Sequence, residues 1–123
     1  MKSYSPSLFG NSFYANRLVR INLVLSGLVN FCLWLGLLLV SRDFLTAMPL
    51  HYNIYFGIDL YGPWYRIFAM PLSGLAIGLV NFITGSLIYR RDKNLSYFLV
   101  FTSTFCELLL ALAAAAIIMV NVQ

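Results

Sequence analysis

The chain has 123 residues, 61% of them hydrophobic, and carries 8 Lys and Arg against 4 Asp and Glu for a formal net charge of +4. That length holds one compact unit and excludes a separate soluble catalytic domain. The basic residues gather at the ends of apolar runs, which points to anionic headgroups and topology signals rather than to nucleic acid.

Residues 1–17 read as a short polar and aromatic lead-in. They do not read as a cleaved signal peptide, because the apolar core that follows outlasts an h-region of about 7–15 residues. No lipidation signature is present. The first apolar run covers 21–40, preceded by Arg17 and Arg20 and closed by Ser41, Arg42 and Asp43. It matches the roughly 20 residues that a helix needs to cross the hydrocarbon layer.

A longer segment, 41–66, follows. It is rich in Tyr and Trp, which favour the headgroup layer. It is therefore expected to lie on the membrane surface, with a short helix or turn between Pro49 and Pro63. The second run covers 67–89, and Pro71 near its start removes a hydrogen bond and predicts a kink there. Arg90 to Asn94 form a tight basic turn into the third run, 95–120. So short a turn makes the second and third helices antiparallel neighbours. The expected fold class is all-α: an integral membrane protein of three transmembrane helices in one domain.

Orientation follows from the basic residues flanking the runs. Lys2, Arg17, Arg20, Arg90, Arg91 and Lys93 lie on one side, Arg42 and Arg66 on the other. This bias puts the N-terminus and the 90–94 turn in the cytoplasm, and the 41–66 loop and C-terminus outside. Cys32 and Cys106 both lie inside apolar runs, where a thiol acts as a small buried hydrophobe rather than a disulfide partner.

Each run also carries a stripe of small or polar residues at helical spacing. The stripes are Asn22, Ser26 and Asn30; Gly74, Gly78, Asn81 and Gly85; and Ser103, Glu107, Ala111 and Ala114. The simplest arrangement has the stripes facing one another. Gly74 and Gly78 form a GxxxG spacing, which permits close helix approach. Glu107 is the ionisable residue deep in a run, where a charge costs at least about 2.5–3.5 kcal/mol. It is expected to face the bundle, with Asn30 and Asn81 as partners. At ~1.5 Å per residue the three lie within about one turn of the same depth. Three readings of Glu107 stay open: a polar clasp fixing helix register, an oligomer contact, and a transport or ligand site.

His51, Asn53 and Asp59 match no zinc spacing, and no nucleophile–base pair or pair of carboxylates can be assembled. No catalytic residue, metal or cofactor is expected. The same segment does carry a motif: Pro49, His51, Tyr52 and Asn53, then Gly57, Asp59, Tyr61 and Gly62, followed by a helix containing Pro71. This resembles a bacterial membrane domain of unknown function that also forms the N-terminal part of Sdp-type toxin-immunity membrane proteins. The likeness covers residues 20–85. Gly57 sits one residue later than the usual glycine, and Pro63-Trp64 replaces a common Ser-Lys. The resemblance implies a multi-pass protein of a bacterial inner membrane with a structured outer loop. In it His51, Asn53, Asp59 and Gly62 would shape the loop, His51 and Asp59 would pair across the turn, and Gly57 and Gly62 would let the chain reverse.

The leading functional expectation is a non-enzymatic accessory or interaction subunit, bound by the lipid bilayer and by homo- or hetero-oligomer contacts through the small-residue faces. Immunity or sensing of a membrane-active toxin or peptide is the second, and a small transporter or channel subunit using Glu107 the third.

Overall fold

Asn16 is extended, and its side-chain oxygen accepts the Leu18 N–H at 2.9 Å, satisfying one of the orphan donors at a helix start. The helix it caps, α2 (Arg17–Ser41), follows a short α1 (Asn11–Ala15). Two antiparallel strands, β1 (Met48–Asn53) and β2 (Gly57–Gly62), come next. A 3-10 segment (Trp64–Phe68) then runs into α3 (Ala69–Ile88), and a tight turn leads to α4 (Lys93–Val122). A computed structural model describes residues 11–42 and 48–122; the side chains of Asn11, Met48, Tyr52, Asp59, Asn121 and Val122 lie outside the description.

Three helical stretches, Arg17–Ser41, Trp64–Ile88 and Lys93–Val120, are long and apolar enough to cross a membrane. The two shorter ones, of 25 residues each, extend roughly 37 Å as α-helices, more than the hydrocarbon thickness of about 30 Å. Each begins before the apolar run that marks it in the sequence. Most of their side chains face outward, including Leu28, Phe31, Val80, Phe98 and Leu112. An apolar exterior of this extent marks a surface for a membrane or a partner protein.

Pro71 stands in the first turn of α3, where a missing N–H leaves no helical partner unsatisfied. The turn after α3 is closed by Arg91 and Asp92 N–H groups on the Ile88 carbonyl. Asp92 then caps α4 by accepting the Leu95 N–H at 3.0 Å. Within this hairpin Ser96 donates to the Gly85 carbonyl at 2.7 Å, which locks α3 against α4 from the turn upward.

Two apolar clusters lie at opposite ends of the bundle. Near the α3–α4 turn, Phe13 of α1 is fully buried against Phe82, Tyr89 and Val100. Near the strands, Leu33, Leu37, Ile67 and Ala114 pack with Leu50 of β1. Between these clusters the buried residues are mainly polar.

The chain is mostly helical, as expected, but the turn expected between Pro49 and Pro63 joins two paired strands, which the all-α expectation did not include. Asn53 pairs with Gly57, and the Asn53 side chain accepts the Tyr55 N–H at 2.9 Å. Gly57 adopts φ 73°, which a side chain would disfavour. A three-residue loop closed by a left-handed glycine is a favoured hairpin connection. Both cysteines are free; Cys32 is exposed and Cys106 half-buried, so neither is the buried core residue expected.

Candidate functional site

Asn30 sits near the middle of α2, seven residues before Leu37 and thus two turns below the strand-side cluster. Its amide nitrogen donates to the Pro71 carbonyl of α3 at 2.8 Å and to the two carboxyl oxygens of Glu107 on α4 at 3.1 and 3.2 Å. One side chain thereby ties all three long helices. Both residues are buried, Glu107 at 2% exposure and Asn30 at 7%. Buried polar groups need such partners, since an unmade bond costs roughly 1–3 kcal/mol.

Gly74 explains how a carboxyl group fits against α3. A Cβ there would stand 2.7 and 2.8 Å from the Glu107 oxygens. The GxxxG pair therefore divides its roles. Gly74 makes room for a side chain, whereas a Cβ on Gly78 would meet nothing within 4 Å.

Asn81 does not join the cluster. It is half-buried and donates to neither Asn30 nor Glu107. Seven residues separate it from Gly74, so it lies two turns nearer the α3–α4 turn than Glu107. Counted from the ends at the α3–α4 turn, Asn81 lies seven residues before Ile88 whereas Glu107 lies fourteen residues after Lys93, so the two differ by about two turns in depth.

A second polar contact joins α2 and α4 one level down. Thr104 donates to the Asn22 side-chain oxygen at 2.9 Å, while the Asn22 amide returns to the Leu18 carbonyl. Sequence reasoning passed over Thr104, although it stands three residues before Glu107 and so shares its face. A third contact was also missed. Asn16 donates to the Tyr97 hydroxyl at 2.8 Å and to that of Tyr89 at 3.3 Å, beside the buried Phe13. The lead-in is thus docked on the bundle from Phe13 onward.

The hairpin holds the loop motif. Pro49 faces Tyr61 and His51 faces Leu60 across the ladder, with bulges on either side of His51. Gly62 is buried beneath Leu50, whose methyl occupies the place of a Cβ. The expected pairing of His51 with Asp59 falls on a side chain outside the description. Among the described residues no group of three or more His, Cys, Asp or Glu is placed to hold a metal ion. At the tip Ile54, Tyr55 and Phe56 project with more than four-fifths of their surface exposed.

No protein-family model, curated protein or solved structure matches the chain. The functional reading therefore rests on this geometry.

Proposed function

We propose that the chain is a non-enzymatic integral membrane protein of three spans that works as an accessory or interaction subunit. The observation that carries this is an uncovered groove of about 360 Å³ between α2 and α4, in which Gly36, Ala111, Ala114 and Ala115 lie among larger apolar residues such as Leu28 and Ile118. Small residues let another helix approach closely where lipid removes the hydrophobic drive for association. The polar contacts point the other way, into the bundle, and hold it as a frame. The groove would take a helix of a second copy or of another membrane protein. The basic flanks support an orientation with N-terminus and 90–94 turn in the cytoplasm, hairpin and C-terminus outside; the loop resemblance implies a bacterial inner membrane. Affinity purification of the tagged full chain from its own membranes tests the reading. Stoichiometric recovery of a second membrane chain, or of an untagged copy, is expected; recovery of the tagged chain alone contradicts it.

One observation favours a second reading, sensing or immunity toward a membrane-active peptide. The hairpin tip presents Ile54, Tyr55 and Phe56, an apolar contact surface within the segment that resembles the Sdp-type domain. Unchanged sensitivity of a deletion strain to membrane-active peptides would dispose of it.

A further inference from the structure

The packing between α2 and α3 opens into a cleft of about 110 Å³. Its walls are Leu23, Leu75, Leu79 and Phe82, and three of these are exposed on the bundle exterior, so the cleft opens sideways. Gly27 and Gly78 form its rim without filling it. Its polar lining is Ser26, Asn30 and Glu107.

Two of those groups have unused hydrogen-bonding capacity. Among the described residues, Asn30 is the sole donor to the two Glu107 oxygens, which in the ionised form can together accept about four hydrogen bonds. Ser26 is 6% exposed, and its hydroxyl makes no hydrogen bond among the described residues. A helical serine ordinarily returns its hydroxyl to the carbonyl four residues earlier. Whichever way Ser26 turns its proton, its hydroxyl oxygen keeps acceptor lone pairs, since among the described residues no group donates to it. A buried polar group left unpaired is costly and calls for a partner.

The complementary ligand donates several hydrogen bonds, carries a positive charge to balance a carboxylate in a medium of low dielectric, and brings an apolar tail for the leucine wall. A primary ammonium meets these terms. A hard metal ion does not, since such ions seek about six or more oxygens. We propose that the α2–α3 cleft binds short primary alkylammonium ions. The ammonium group donates to Glu107 and Ser26, and the alkyl chain lies along Leu75, Leu79 and Phe82. The site lies within one chain and does not depend on assembly with a partner.

Titration of the isotopically labelled full chain in lipid nanodiscs with n-butylammonium tests this, read by NMR at the Asn30 side-chain amide and the Ser26 backbone amide. Saturable shifts at both are expected. Glu107→Gln should weaken binding at least tenfold and Ser26→Ala about threefold. Gly78→Leu, whose side chain grows from a rim position where a Cβ meets nothing within 4 Å, should abolish the shifts while the backbone spectrum elsewhere stays folded. n-Butanol should give no saturable response. Absent or non-saturable shifts overturn the proposal, as do shifts that persist in Gly78→Leu. Equal affinity for n-butanol also overturns it, because the cleft would then be a neutral hydroxyl site.

Discussion

Asn30 is the residue on which the bundle turns. Its amide spans Pro71 and Glu107, so removing it leaves a carboxyl group buried without a donor. Asn30→Ala should destabilise the protein by about 1–2 kcal/mol, within the range for an unmet buried group. Glu107→Gln keeps an acceptor for Asn30 and should cost less; unfolding in graded denaturing detergent gives both values. Gly74 supplies a sharper test. An added methyl would push the Glu107 carboxyl off Asn30, so Gly74→Ala should cost about 1 kcal/mol in the native chain. In a Glu107→Ala background the clash disappears, and the same change should become neutral or stabilising, since alanine is the better helix former. A double-mutant cycle reads that reversal as a coupling energy. Among the midpoint residues, Glu107 and Asn30 were legible in the sequence as polar interruptions of apolar runs. Pro71 was not, because its contribution is a backbone carbonyl that any residue would offer.

The long helices were legible as elements, since a length and apolar composition sufficient to cross a bilayer set their runs apart from those of soluble helices. Their ends were less so. Asn16 caps α2 and Asp92 caps α4, and both are ordinary cap residues next to apolar runs. The hairpin was missed for a physical reason. Its aromatic residues fit a headgroup-layer segment, and that composition masked the turn signal of Asn53 and Gly57. Gly57 holds the turn through a positive φ that other residues adopt at a cost of about 1–2 kcal/mol. Gly57→Ala should therefore open the strand pair without disturbing the helices. Faster amide exchange over β1 and β2, with exchange in α3 and α4 unchanged, is the expected record. Equal protection of the strands in the variant would show that the ladder, not the turn, sets the hairpin.

Along its length the molecule alternates: an apolar cluster around Phe13 and Phe82, a polar belt around Asn22, Thr104, Asn30 and Glu107, and an apolar cluster around Leu37 and Ile67. The belt gives the bundle a fixed register, because polar partners in an apolar medium have few alternatives. The apolar clusters give it closed ends. What this leaves uncovered is the small-residue groove between α2 and α4, and in the proposed reading that groove is the working surface. The direct measurement is the number of protein chains per particle after extraction with native lipid, for the natural chain and for Ala115→Leu, whose added bulk lies in the groove. The account expects more than one chain per particle for the natural protein and a single folded chain for Ala115→Leu. A single chain in both would contradict it.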